Sequence, residues 1–276
     1  MMTEKPKIDT NTTICISIAE KPGNFGAKFH NPAYKYLNLN WIYLPRKVQN
    51  SADLEKTMHG IRALNIKGCS VSMPHKENVI PFLDEMDDSA QEIGAVNTIL
   101  RKENGSLKGY NTDFYGAKKA LENTQIDGKE VLMLGAGGVA RAVSLAVKEL
   151  GGQLTIANRT DRNALTLAKQ LSAKTVNWED VQFSSGHLLI NTTPVGMNDP
   201  EAMIVNKELL HNFNSVMDVV IYPAETKLLK TAKEYGKNII PGTLMCVYQA
   251  AQQFKIYTNQ DAPEPIINKT LKALEK

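Results

Sequence analysis

The chain has 276 residues, 42% of them hydrophobic and 22% charged, which is enough to bury a sizeable core in one large domain or, as we expect, two of ordinary size. Its formal charge of +3, with lysines interspersed among carboxylates, gives no basic stripe for nucleic acid or an anionic membrane, while small anionic ligands stay open. Cys15, Cys69 and Cys246 are too far apart for a disulfide framework or C-x-x-C chemistry and read as reduced, buried thiols of a cytoplasmic protein.

The polar stretch at residues 1–13 lacks the apolar segment of a signal peptide, and no run approaches the roughly 20 apolar residues of a membrane span. A strand is expected near Ile14 to Ile18, then a helix containing Phe29, Ala33, Tyr34 and Leu37, then a strand from Trp41 to Leu44. Ser51 is read as the cap of a helix whose apolar positions Leu54, Met58, Ile61 and Leu64 recur at helical spacing. That helix ends before Gly68, and Cys69 to Ser72 forms a short strand. From Asn97 to Tyr110 two strand-like runs flank Asn104-Gly105, a pair that supplies the positive φ of a tight hairpin. A helix follows from Thr112 to about Asn123.

Val131 to Leu134 is an apolar strand, Gly135-Ala136-Gly137-Gly138-Val139-Ala140 a glycine turn opening a helix, and Leu154 to Ala157 a second strand that ends at Asn158-Arg159-Thr160-Asp161-Arg162. Gly135 permits the sharp turn, Gly137 lets backbone approach a pyrophosphate, and Ala140 lets the helix pack against the sheet, with its N-terminus facing the anion. Where an NAD-selective site places a carboxylate after the second strand, this chain has Asn158, Arg159 and Arg162. In isolation such arginines would be a solvated loop. At this position two guanidiniums suit a 2′-phosphate, which predicts NADP. Alternation continues with a helix at Ala164 to Leu171, strands at His187 to Asn191 and Ser215 to Ile221, a helix at Thr226 to Tyr235 and a strand at Asn238 to Ile240. Pro241-Gly242 reads as a break before helices at Leu244 to Tyr257 and Ile266 to Leu274. Strands alternating with helices imply a parallel sheet with covered faces.

Three stretches carry polar side chains that none of these elements explains: Ser70-Val71-Ser72-Met73-Pro74-His75-Lys76, Gly94-Ala95-Val96-Asn97-Thr98, and Gly109-Tyr110-Asn111-Thr112-Asp113 through Gly116. Together with the glycine turn, Asn191-Thr192-Thr193-Pro194-Val195-Gly196-Met197, Asp218-Val219-Val220-Ile221-Tyr222-Pro223 and the stretch Gly242 to Ala250 with Phe254, this order of motifs resembles the shikimate dehydrogenases over most of the chain. The resemblance implies that Lys76 and Asp113 are the catalytic pair, and that Ser70, Ser72, Asn97, Tyr222 and Gln249 hold the ligand ring. It also implies that Thr192, Thr193, Pro194, Val219, Gly242 and Met245 line the cofactor beside the glycine turn. Those roles make chemical sense, because reducing a ketone builds negative charge on oxygen that an ammonium stabilises, and a buried polyhydroxylated ring needs hydroxyl and amide partners. The plainer readings are an exposed lysine for Lys76 and a helix cap for Asp113. His30 and His75 have no partner at metal-ligand spacing, so no metal is assigned.

One stretch departs from the family. The resemblance implies a Ser-x-Ser-Pro sequence ahead of a histidine, whose serines grip the ring carboxylate. Counting back from His30, the corresponding positions hold Asn24, Gly26 and Ala27. Unreplaced, two lost donors would cost about 1.5–3 kcal/mol each. Asn24 through its amide and Gly26 through its backbone N–H still offer donors, and Lys21 or Lys28 offers charge. The expectation is an α/β protein of two domains. A substrate domain at 1–112 plus 243–276 includes the returning C-terminal helices, and a Rossmann-type NADP domain spans 113–242. It is expected to be an oxidoreductase for 3-dehydroshikimate and shikimate or a related cyclic hydroxy or keto acid, monomer or homodimer. Quinate or aminoshikimate dehydrogenase and a non-catalytic NADP-binding regulator are the alternatives.

Overall fold

A computed structural model describes residues 8–275; residues 1–7, the first part of the polar start, lie outside it. The chain divides into two compact units, Met1–Thr112 with Ala250–Thr270 and Asp113–Gln249 with Leu271–Lys276.

The first unit contains β1 (Thr13–Ala19), α1 (Phe25–Tyr36), β2 (Trp41–Lys47), α2 (Ser51–Ala63), β3 (Gly68–Val71), the short β4 (Glu85–Met86), α3 (Asp88–Ile93), β5 (Thr98–Arg101) and β6 (Leu107–Tyr110). Its sheet has the order β2-β1-β3-β5-β6-β4. β1 runs parallel to β2 and β3, but β5 is antiparallel to both β3 and β6. The sheet is therefore mixed, because the hairpin around Gly105 (φ +85°), expected from the Asn104-Gly105 pair, needs no crossover and reverses direction. Side chains alternate between faces. One face buries Ile16, Ile18, Val71 and Ile99 against Leu54, Met58 and Ile61 of α2, and the other carries Cys15 and Ser17.

Helix α2 is capped by Asn50, not Ser51: the Asn50 side chain accepts from the Asp53 N–H at 2.9 Å. Leu64 ends that helix and is 72% exposed, so it is not part of the apolar stripe. Strand β3 starts one residue earlier than the alternation predicted, and β4 and α3 had no sequence expectation.

The second unit begins in α4 (Thr112–Leu121) and continues through β7 (Glu130–Leu134), α5 (Gly138–Glu149), β8 (Gln153–Ala157), α6 (Asp161–Leu171), the short β9 (Lys174–Thr175), β10 (Gly186–Asn191), β11 (Phe213–Asp218), α7 (Lys227–Glu234), β12 (Asn238–Pro241) and α8 (Gly242–Thr258) as far as Gln249. The rest of α8, and helix α9 (Glu264–Leu274) as far as Thr270, belong to the first unit. The sheet order is β12-β11-β10-β7-β8-β9, with every pairing parallel. Both faces are covered, which is why β7 and β10 read as continuous apolar runs. Leu132, Leu134, Leu189, Val216 and Leu229 form part of one core cluster. Strand β11 stops at Asp218, short of the expected Ile221, because the Val220 N–H turns back to the Asp218 carboxylate at 3.1 Å. Pro241 and Gly242 are a direct strand-to-helix junction and not a loop. Cys15, Cys69 and Cys246 are free and buried. Among the described residues no helix is long and apolar enough to cross a membrane.

Candidate active site

In the first unit the polar residues collect at the carboxyl ends of the parallel strands, on the face opposite α2. Parallel register places Ser17 of β1 beside Ser70 of β3, and antiparallel register places Ser70 beside Thr98 of β5. Gln253 of α8 spans this row: its amide nitrogen donates to Ser70 Oγ at 3.1 Å and Thr98 Oγ1 at 3.0 Å, and its carbonyl lies 3.4 Å from His30 Nε2. His30 is stacked on Tyr43 at 4.5 Å between ring centroids, and burial pushes its pKa down to about 3, so it is neutral. Burial pushes the Tyr43 phenol up.

Asn97 is buried and sits at the end of this row, its side-chain oxygen accepting from Thr98 Oγ1 at 2.8 Å and from the Thr112 N–H at 2.7 Å. Lys76 is half-buried. Its backbone is fixed from both sides, since Val96 N–H donates to Lys76 carbonyl at 2.8 Å and the neighbouring His75 ring pairs with Val48 carbonyl at 2.8 Å. Ser72 is exposed, with its N–H on Ile18 carbonyl at 2.9 Å. Asn24 is the exposed residue preceding α1, and Gly26 lies in its first turn.

In the second unit Gly135, Thr192, Thr193, Val219 and Gly242 stand at the carboxyl ends of β7, β10, β11 and the edge strand β12. Gly135 has φ +111°, and a Cβ there would stand 2.5 Å from Thr192 Oγ1. Thr192 donates through both N–H and hydroxyl to Leu134 carbonyl at 2.8 Å. Asn191 accepts from the Thr193 N–H at 3.0 Å and donates to Asp218 at 3.0 Å. A Cβ on Gly242 would meet Val219 carbonyl at 2.5 Å. By contrast, a Cβ on Gly137 or Gly138 would meet nothing within 4 Å. The turn thus leaves open space over its glycines, at the start of a twelve-residue helix, where Ala136 and Val139 flank the gap and Ala140 is fully buried against the sheet. Open space at a helix N-terminus is a geometry that can accept an anionic group.

Asn158 donates to Thr160 carbonyl at 3.0 Å and shapes the bend leading into α6. Arg159 and Arg162 flank that bend and are exposed. Asp113 lies in the first turn of α4. Three residues on, a Cβ on Gly116 would lie 2.4 Å from Met245 carbonyl, so α4 and α8 touch there. Burial, with the Asp113 charge nearby, pushes the Cys246 thiol up to about 12, and the Gln249 side chain beside it acts in the opposite direction. Asp113, Met245 and Gln249 therefore share one neighbourhood. Tyr222 is 63% exposed, and Pro194 is also at the surface. Lys76 belongs to the first unit and Asp113 opens the second. Among the described residues no three His, Cys, Asp or Glu side chains gather as a metal site.

Sequence reasoning missed Gln253, Ser17, Tyr43 and the role of Asp218. A signal existed for one of them: Gln253 lies four residues after Gln249, one helical turn along the same face of α8.

A family model described as the shikimate dehydrogenase substrate binding domain matches residues 25–99, and one described as shikimate / quinate 5-dehydrogenase matches residues 116–197. The chain is 37% identical over 248 residues to a shikimate dehydrogenase (NADP(+)) of Aquifex aeolicus, covering 89% of this chain and 91% of that one. It is 37% identical over 265 residues to a shikimate dehydrogenase-like protein of Haemophilus influenzae, covering 94% and 96%. Among solved structures it is similar to a shikimate 5-dehydrogenase of Thermus thermophilus in complex with NADP(H) and shikimate, with TM-score 0.85, 30% identity and coverage of 95% and 99%.

Proposed function

Since the chain belongs to the shikimate dehydrogenase family, we propose that it is an NADP-dependent dehydrogenase interconverting shikimate and 3-dehydroshikimate or a closely related cyclic hydroxy acid. The observation that carries this reading is the match of both family models, in order, to regions that hold Lys76 and the glycine turn. Residues 1–112 plus 243–276 act as the substrate domain and residues 113–242 as the NADP domain.

The residues present fit the cofactor. The open space over Gly137 and Gly138 accepts a pyrophosphate, and the exposed guanidiniums of Arg159 and Arg162 suit a 2′-phosphate. Bound NADPH supplies the hydride that reduces the carbonyl carbon. Lys76 stabilises the charge developing on the carbonyl oxygen and relays a proton to it, while Asp113 orients that ammonium and accepts from a neighbouring ring hydroxyl. Ser70, Ser72, Asn97, Tyr222 and Gln249 hold the ring, and Thr192, Thr193, Pro194, Val219, Gly242 and Met245 shape the nicotinamide side.

The altered stretch at Asn24 and Gly26 favours selectivity shifted at the carboxylate end, with quinate and aminoshikimate the nearest other substrates. Steady-state turnover with NADP and NAD against shikimate, quinate, aminoshikimate and a carboxyl-lacking analogue tests this. We expect NADP-linked oxidation of at least one ring acid, abolished in Lys76→Ala with NADPH binding retained. Unchanged residual activity in Lys76→Ala removes that residue from the chemistry. Retained NADPH binding with no turnover of any ring leaves a cofactor-binding regulator instead.

A further inference from the structure

A backbone N–H fixes the direction of a hydrogen-bond chain that runs through the first unit from Thr112 to His30. The Thr112 N–H donates to Asn97 Oδ1 at 2.7 Å, and a carboxamide oxygen only accepts, so this end of the chain has one possible polarity. Thr98 Oγ1 lies 2.8 Å from the same oxygen and commits its single hydrogen to it. Towards Gln253, 3.0 Å away, Thr98 therefore offers only a lone pair, and the Gln253 group facing it is the NH2. That nitrogen also donates to Ser70 Oγ at 3.1 Å and lies 3.5 Å from the Asn97 carbonyl.

The far end agrees. Gln253 Oε1 lies 3.4 Å from His30 Nε2, and His30 Nδ1 is buried without a hydrogen-bond partner among the described residues. A neutral ring with its hydrogen on Nε2 leaves a lone pair on Nδ1, and an unpaired buried acceptor is better tolerated than an unpaired N–H.

Ser70 is the open end of this chain. Asn97, Thr98 and Gln253 are buried, whereas Ser70 is only half-buried. Its hydroxyl accepts from Gln253 and makes no other hydrogen bond among the described residues. The Ser70 hydrogen is thus left for a group that arrives from solvent.

We propose that Gln253 is a positioning residue of the substrate site: its carboxamide, oriented through Thr98 and Asn97, presents Ser70 to the ring acid as a donor, so the ligand group at that position is an acceptor oxygen. The inference rests on the substrate class and the Ser70 contact proposed above. Gln253 acts through Ser70.

The test is a double-mutant cycle on the full chain with Ser70→Ala, Gln253→Met and both together, reading shikimate affinity by calorimetry and KM and kcat with NADP. Loss of one hydrogen bond to an acceptor oxygen predicts about tenfold weaker shikimate affinity in Ser70→Ala and in Gln253→Met, falling mainly on KM, with NADPH affinity unchanged. The double variant should be no worse than Ser70→Ala, a result that a purely structural role for Gln253 does not produce. If Gln253→Met does not fold, Thr98→Val takes its place in the cycle, since it removes the lone pair that orients the carboxamide; its rise of about threefold should also vanish beside Ser70→Ala. Losses that multiply in the double variant overturn the inference, as does wild-type shikimate affinity in either single variant. A wild-type chain that binds NADPH but no ring acid overturns the substrate class and the inference together.

Discussion

The side-chain oxygen of Asn97 accepts from the backbone N–H of Thr112 at 2.7 Å, and it also accepts the hydroxyls of Thr112 at 3.0 Å and Thr98 at 2.8 Å. One carbonyl thus terminates the first residue of α4, the helix whose second residue is Asp113. Asn97 is proposed as a ring contact, and this bond gives it a second duty, fixing the backbone on which the proposed catalytic carboxylate is mounted.

Asn97→Ala should therefore act on stability as well as on turnover. It leaves buried donors without an acceptor, at about 1–3 kcal/mol for each, so urea unfolding should show a loss of roughly 3 kcal/mol alongside reduced kcat/KM. Asn97→Asp keeps the acceptor and should recover most of the stability. Equal stability of Asn97→Ala and wild type would show that the Thr112 bond contributes nothing.

The glycine turn predicts two opposite mutant phenotypes. Gly135→Ala forces a left-handed φ and a 2.5 Å approach to Thr192 Oγ1, which costs about 1–3 kcal/mol for the backbone alone and lowers the melting temperature. Gly137→Ala meets open space, so stability should stay within about 0.5 kcal/mol of wild type. Its added methyl stands in the proposed pyrophosphate site, and KM for NADP should rise at least roughly tenfold. A Gly137→Ala protein with normal NADP affinity would move the phosphate site elsewhere.

Arg159 and Arg162 are proposed to set cofactor choice. Replacing both with Ala removes the guanidiniums proposed to pair with the 2′-phosphate and should cut NADP kcat/KM by about tenfold or more for each lost charge-assisted bond. NAD kcat/KM should be nearly unchanged, and the preference should fall at high salt in wild type. A parallel fall with both cofactors would indicate loss of the bend's structure.

The parts of this protein that a local pattern encodes were readable in advance. Gly135 needs positive φ, Gly105 closes a hairpin, and Leu54, Met58 and Ile61 recur at helical spacing, all within a few residues. What was hidden depends on partners far along the chain. Ser17 and Tyr43 look like ordinary strand residues until register sets Ser17 beside Ser70, and Gln253 gains meaning only when α8 returns to the Ser70–Thr98 row. The cap of α2 was misplaced by one residue because Asn50 and Ser51 are both good caps and only backbone geometry decides between them. Asp218 belonged to a motif, yet its burial could not be inferred from the apolar residues around it.

Asp218 gives the chain a specific pH dependence. It is fully buried at the end of β11, and desolvation raises its pKa to about 6 from an ordinary 3.8, although Thr226, Val220 and Asn191 all donate to it. A carboxyl whose pKa is raised on folding binds its proton more tightly in the native state, so stability falls as pH rises from about 4 to 6. The full cost, about 3 kcal/mol for a shift of this size, is present above pH 6, and none of it below the unfolded pKa. Asp218→Asn keeps an acceptor for Val220 and Asn191, and its amide faces a Thr226 hydroxyl able to turn and accept. Urea unfolding between pH 4 and 7.5 should therefore show the variant gaining on wild type as pH rises, by up to about 3 kcal/mol at neutrality. Parallel stability profiles for the two proteins would mean that Asp218 titrates as an exposed carboxylate does. Because Asn191 links Asp218 to Thr193, KM for NADP in wild type should also change across the same pH interval, and Asp218→Asn should flatten that change.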